Sequence, residues 1–440
     1  MWRTSFLFLI FLVSLPGPLP GQVVVLSHVR LIDGTGRPAI EDASIVIAGG
    51  KIRAIGPASR IKTPQGAQAI DLSGKTVMPG MINLHGHVGM VSGLSQDMKH
   101  YTRENAVAQL RIYAQYGVTT TTSMGTDHDL IVDIRDQQRR GKLSGARVFT
   151  ALQGFTTING YPTHAPGIKG VAQEVATAAQ ARAWVNKLAD RGADVIKMWI
   201  DDHHDTFKKI PPAVYRAIIS QAHKRGLLAF AHLYELDDAK GLVRAGLDVM
   251  AHSIRDREVD DELIALLRKN KVTAVATLSR EKSTFVYADS PAWLDDPFFQ
   301  KGTTPEIIQA LKTTLKKKQA ADPEREINIQ GLKIAMRNLK KLSDAGVRIG
   351  FGSDSGPPGR FPGYFEHWEM ELMAQAGLTP MQIIQAATKT SAEALKIAKN
   401  FGTLEKGKAA DFIVLDKNPL DDIRNSRAIH SVYLAGRRLE

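Results

Sequence analysis

The sequence predicts an α/β protein: a (β/α)8 TIM barrel carrying a small composite β-sandwich assembled from both ends of the chain. Three observations predict it. The middle of the chain alternates short apolar strands with amphipathic helices, the pattern of parallel βαβ units. Both ends instead carry short strands punctuated by turns. The Gly-rich turn GxGxxG, which a competing doubly wound sheet would place after its first strand, does not occur there.

The chain opens on MWRTSFLFLIFLVSLPGPLPGQ, which has the form of a secretory signal peptide. Arg3 supplies the basic start, residues 5–15 the apolar run, and residues 16–21 the break before cleavage. That run is too short to span a membrane. Leu19 stands where a small residue usually precedes cleavage, so an uncleaved anchor is the alternative. The expected division is a signal peptide at 1–21, a first part of the β-domain at 22–78, a barrel at 79–402 and a closing part of the β-domain at 403–440. Export to the periplasm or beyond is the expected localisation, with no integral membrane domain.

Next come VVVLSHVRLIDGTG, ASIVIAGGKIRAIG and AQAIDLSGKTV, with Asp33-Gly34 and Gly49-Gly50 as turn dipeptides. The same style returns at the end in ADFIVLDKNPL and HSVYLAGRRLE. Between them, barrel strands are predicted at 76–85, 118–123, 147–152, 194–200, 227–232, 247–252, 272–278 and 347–352. Helical stretches such as 212–225 and 260–270 fall between strands. The connection 279–325 is unusually long and holds Phe285, Tyr287, Trp293, Phe298 and Phe299. It reads either as an active-site lid or as a helical insertion with its own aromatic core.

A chain of 440 residues has room for a barrel and a smaller domain. The net charge is +12, but no Lys/Arg block carries interleaved aromatics, and KTTLKKK at 312–318 reads as a solvated helix face. Nucleic acid is therefore not the expected partner; a small-molecule substrate is, and homo-oligomer formation stays open. Cysteine is absent, which excludes disulfides, thiolate nucleophiles and thiolate metal ligands.

The chemistry gathers where strands end. In Asn83-Leu84-His85-Gly86-His87 the two imidazoles share one side of a strand, because side chains alternate along it. His232 closes LLAFAH, His252 closes LDVMAH, and Asp354 follows the last strand in RIGFGSDSG. Polar residues at several strand ends converge on the C-terminal mouth of a barrel, where metal sites are built. Lys197 lies inside the near-continuous apolar run ADVIKMWI. An ammonium buried there must shift its pKa, find a partner such as Asp354 or be modified.

Taken together, the HxH, the fourth-strand Lys, the His residues ending strands five and six and the eighth-strand Asp resemble the amidohydrolase superfamily. The β-domain split around the barrel and the closing segment GTLEKGKAADFIVLD are similar to that family as well. The stretch from Ile196 to Asp256 looks closest to members with a Lys ligand, imidazolonepropionase-like hydrolases and prolidase-like (Xaa-Pro) dipeptidases. The resemblance implies that His85, His87 and Asp354 bind the more buried of two metal ions. It further implies that a carbamylated Lys197 bridges both ions and that His232 and His252 hold the second. Histidine and carboxylate donors suit Zn²⁺, with Mn²⁺, Co²⁺ or Fe²⁺ as alternatives. The implied reaction is hydrolysis of a C–N bond by a metal-bridging hydroxide, with Asp354 as general base and then acid. Ester or lactone hydrolysis at the same site is the runner-up, and a non-catalytic scaffold is a further alternative. Ser353 stands where the family commonly has Thr, a change that keeps the hydroxyl. For substrate binding, the resemblance points to His164 in FTTINGYPTHAPG; Tyr234, Arg255, Arg257, His203 and His204 also fall near the expected mouth.

Overall fold

The two ends of the chain meet in one sheet of eight strands in a computed structural model that describes residues 23–165 and 167–439. The signal-peptide reading of residues 1–21 lies outside the described residues. Strand Val24–Leu31 is the branch point of this sheet. One edge pairs antiparallel with Ile40–Ala48, and the other runs parallel first to Gln68–Asp71 and then to Thr76–Pro79. The C-terminal strand Phe412–Leu415 pairs with Thr76–Pro79 and hands on to Ile429–Leu434. The expected sandwich thus takes the form of a single branched sheet. Leu26, Ile45, Val77 and Phe412 fill its core, and the rings of Phe412 and Tyr433 stack at 4.5 Å. Gly49 and Gly50 turn the hairpin between Ile40–Ala48 and Lys51–Pro57 with φ of 58° and 73°, the left-handed region that glycine enters without steric cost.

The middle of the chain forms β1 (Met81–Gly86), β2 (Val118–Ser123), β3 (Arg147–Thr150), β4 (Val195–Ile200), β5 (Leu228–Leu233), β6 (Val249–Met250), β7 (Thr273–Val275) and β8 (Arg348–Gly350). They pair in parallel as two runs, β1 to β3 and β4 to β8. Backbone hydrogen bonds link the runs at both seams: Asp194 N–H to the Thr150 carbonyl at 2.8 Å, and Leu84 N–H to the Phe351 carbonyl at 2.8 Å. Helices between the strands bury apolar faces on this layer. Helix Pro212–Lys224 starts with Pro at its first turn, where the missing N–H costs nothing, and buries Val214, Ile218, Ile219 and Ala222. None of the described helices is long and apolar enough to cross a membrane.

Two expectations change. The single strand expected at 76–85 is two strands in different sheets, Thr76–Pro79 and β1. Pro79 cannot donate to a ladder, and at Gly80 a Cβ would meet Thr119 Cγ2 at 2.2 Å, so the chain crosses between sheets there. The long connection folds as a helical insertion with its own aromatic cluster. It folds as short helices, among them Leu278–Ser283, Pro297–Gln300 and Pro305–Ala310. The Trp293 ring sits 4.9 Å from Phe299, 5.1 Å from Tyr364 and 5.3 Å from Trp368. None of its residues lines the cleft described below.

Candidate metal centre

Each histidine at the strand ends is held by one ring nitrogen and offers the other. His85 donates Nδ1–H to the Ala251 carbonyl at 2.8 Å, which leaves a free lone pair on Nε2. His87 Nδ1 faces Thr126 Oγ1 at 3.1 Å, and His252 Nδ1 faces Thr277 Oγ1 at 2.7 Å. Their Nε2 atoms surround Asp354, whose Oδ1 lies 3.1 Å from His87 Nε2 and 3.6 Å from His85 Nε2. His252 Nε2 is 4.0 Å from Asp354 Oδ2, the oxygen that also pairs with Arg360. One ligand atom from each of His85, His87 and Asp354 fits within 4.8 Å, the spacing of a single cation site. Asp354 has φ of 55°, a conformation rarely adopted outside glycine, and its N–H bonds the His85 carbonyl at 2.7 Å.

Electrostatics favour neutral imidazoles around an ionised carboxylate. Burial pulls His85 and His252 well below the usual histidine range and His232 down to about 4. Burial alone would raise the Asp354 carboxyl, but Arg360, His85 and His87 outweigh it and hold it well below the carboxylate range. Two buried atoms, His252 Nε2 and Asp354 Oδ1, have no hydrogen-bond partner. An unsatisfied donor set of nitrogens and oxygens converging in this way fits a divalent cation, Zn²⁺ or one of its first-row neighbours.

Lys197 is fully buried on β4, with Nζ 3.3 Å from His85 Nε2. Among the described residues no carboxylate comes within 4.0 Å of it, so the alternative of an ion pair with Asp354 does not form. Burial pulls its ammonium down to about 7. The His232 ring lies 4.2 Å from that of His252 and donates Nε2–H to Asp201 at 2.7 Å, which leaves Nδ1 free. Asp201 was not anticipated from the sequence. Its signal was an acid directly after the lysine-bearing strand.

His85, His87, His232, His252 and Asp354 open into a cleft walled by Met90, Val91, Ile168 and Trp199 and bordered by Tyr161 and Arg360. His164 departs from its expected place: it is exposed, stacks on Phe207 at 4.2 Å and does not line the cleft, whereas Tyr161 does. Arg255 is buried, paired with Glu281 at 3.1 Å and lying over the Tyr234 ring, while Arg257 reaches outward to Asp237. His203 and His204 join the Tyr161 and Tyr234 rings at the rim rather than lining the cleft. Arg360, also unanticipated, sits in the turn GRFPG, and Arg280 Nε lies 3.9 Å from Asp354 Oδ2.

A model of the Amidohydrolase family matches residues 76–439. The imidazolonepropionase of Alkaliphilus metalliredigens is 26% identical over 388 residues, 86% of this chain and 84% of that protein. Among solved structures, a Xaa-Pro dipeptidase with bound methionine in its active site superposes with a TM-score of 0.76, covering 95% of this chain and 100% of that one at 24% identity. Molinate hydrolase superposes with a TM-score of 0.74, covering 96% of this chain and 95% of that one at 20% identity. The matched span contains every strand that carries the histidine-lined cleft, and with it the chain belongs to the amidohydrolase family as a hydrolase of carbon–nitrogen bonds.

Proposed function

We propose that this chain hydrolyses an amide or peptide-like C–N bond of a small substrate, with divalent cations held at the strand ends of a closed (β/α)8 barrel. The observation that carries the reading is the convergence of His85, His87 and Asp354 within 4.8 Å, beside two buried atoms that lack partners. His85, His87 and Asp354 would hold one cation, and His232 and His252 a second. Lys197, reaching between them from β4, would contribute as its carbamate. Zinc is the proposed metal.

When bound, such cations acidify a water molecule to a pKa of ~7 and polarise the scissile carbonyl. Asp354 would act as the proton carrier, a general base toward the attacking water and then a general acid toward the leaving nitrogen. Arg360 pairs with the Asp354 carboxylate and favours its ionised form, the form that a general base needs. The wall of Met90, Val91, Ile168 and Trp199 buries the apolar part of the substrate and excludes bulk water. Likeness to an imidazolonepropionase and to a Xaa-Pro dipeptidase supports a cyclic amide or a dipeptide as the substrate class. The leader at 1–21 supports export, so that the substrate is met outside the cytoplasm.

Metal content per chain of the purified protein, wild type beside Lys197→Ala, tests this reading. About two ions falling to one or none would support a bridged pair. Equal content in both proteins would remove Lys197 from the site, and no metal in either after reconstitution would refute the metal mechanism. Hydrolysis of dipeptides and N-acyl amino acids should stop on chelation and return with Zn²⁺ or Mn²⁺.

A further inference from the structure

The first and last strands of the barrel carry the three residues of the cation triad, and they share few ladder bonds. β1 presents His85, the residue just beyond its end is His87, and the loop after β8 presents Asp354. Backbone bonds join them, from Leu84 N–H to the Phe351 carbonyl, from Asp354 N–H to the His85 carbonyl and from His87 N–H to the Ser355 carbonyl, and a side chain from neither segment adds to these. Glu366, in helix Tyr364–Gln375, is fully buried behind the site. Its Oε1 accepts hydrogen bonds from Asn83 Nδ2 at 2.7 Å, Ser353 Oγ at 2.5 Å and Ser355 Oγ at 2.6 Å. Its Oε2 accepts from Gly363 N–H at 2.6 Å.

Each of the three side-chain donors touches the ligands. Asn83 precedes His85 by two residues, and its Oδ1 accepts the His85 N–H at 2.9 Å. Ser353 and Ser355 flank Asp354, and the Ser355 carbonyl accepts the His87 N–H at 2.8 Å. The backbones of the two segments are also in close contact. A Cβ on Gly352 would meet His85 Cβ at 3.0 Å, and one on Gly356 would meet the His87 carbonyl oxygen at 2.1 Å. Burying a carboxylate merely to join two strands is unfavourable when neutral side chains could do it. An acceptor-only group, however, gathers four donors without offending any of them.

We propose that Glu366 is a positioning residue, whose carboxylate locks Asn83 on β1 to Ser353 and Ser355 around Asp354 and so sets the spacing of the His85, His87 and Asp354 donors for one cation. The proposal rests on the metal reading above. Glu366 touches neither cation nor substrate; it acts through the strands that do. In Glu366→Gln one acceptor oxygen becomes an NH2 donor, set against the Gly363 N–H in one amide orientation and against the Asn83 amide in the other, so the four-donor cluster can no longer be satisfied as it is and the spacing of the triad would loosen.

The test is Zn²⁺ affinity of the apo protein, measured against a competing chelator, with the visible spectrum of the Co²⁺-loaded protein as a report on ligand geometry. Glu366→Gln should bind Zn²⁺ about 10–100-fold more weakly and shift the Co²⁺ bands. Its kcat should fall while KM holds. Ser353→Ala, a milder change that removes one donor, should move in the same direction by a smaller factor. Glu369→Gln is the control: this glutamate is equally buried on the same helix but accepts from the Leu278 and Ser279 amides at 2.8 and 2.6 Å. It should lower the thermal midpoint and leave Zn²⁺ affinity unchanged. Wild-type affinity and spectra in Glu366→Gln and Ser353→Ala would overturn the proposal, as would an equal loss in Glu369→Gln. Failure of the wild type to bind Zn²⁺ at all would overturn the metal reading instead.

Discussion

The rim of the barrel and the insertion after β7 are both connecting segments built around buried side chains, and they solve opposite problems. At the rim, imidazoles, a lysine and a carboxylate are taken out of water, and two of their atoms are left without partners. In the insertion, Trp293, Phe299 and Tyr287 fill space against helix Tyr364–Gln375 at ring spacings of ordinary aromatic packing. Tyr287 then donates to the Gly359 carbonyl, bracing the turn that carries Arg360. The contrast separates burial that serves binding from burial that serves stability. Polar atoms left unpaired add nothing to the free protein and gain their value when a ligand completes them. Aromatic packing contributes at once and is indifferent to ligand.

The sharpest way to break that contrast is Asp354→Asn. Removing the proposed proton carrier should cost about 10²–10⁴-fold in kcat, with much of the metal retained and the apo thermal midpoint little changed. Wild-type turnover in this variant would remove Asp354 from the chemistry. Phe299→Ala is the mirror image, since its ring is 1% exposed and central to the insertion. It should cost about 3–5 kcal/mol of stability by denaturant unfolding, while metal content and kcat below the transition stay near wild type. A large loss of kcat with intact folding would show that the insertion belongs to the site after all.

Thr126→Ala sharpens the comparison within the rim. It removes the partner of His87 Nδ1 and should weaken Zn²⁺ binding about 10-fold with little change in unfolding free energy. Unchanged affinity would mean that the ring needs no such support. The last test concerns pH and does not touch the rim. Burial holds His367 down to about 3; the Tyr116 carbonyl, which raises it, does not compensate, and Arg427 and Lys301 lower it further. A group depressed in the folded state contributes its full stability above its unfolded value of about 6.5 and loses it as pH falls toward about 3. Unfolding free energy should therefore decline across that window, and His367→Gln should flatten the decline. An unaltered slope would assign acid sensitivity to other groups.

Much of this was legible in the chain. The alternation of apolar strands and amphipathic helices marked the parallel strands, apart from the first, whose expected segment divides between two sheets, because a strand buried on both faces and a helix buried on one have different periods. His85 and His87 declared themselves through period-two spacing, and Lys197 through a charge inside an apolar run. Other residues carried no such signal. Asp201 and Arg360 look like ordinary surface charges in DDHHD and PGRFPG, and only folding brings them to His232 and Asp354. His164 had the residue type and loop expected of a substrate contact, yet stacking on Phe207 holds it outside the cleft.

What the sequence determined by itself is what depends on neighbours along the chain: strand and helix periods, turn positions, the capacity of HxH to face two nitrogens one way, and the exclusion of thiol chemistry. What only the tertiary structure decided is what depends on distance between segments far apart in sequence. Asn83 and Glu366 are separated by 283 positions, and their bond of 2.7 Å exists because the first and last strands of the barrel are brought side by side. Local pattern can show that a side chain will be buried, but which partner meets it there is set by how distant segments are brought together.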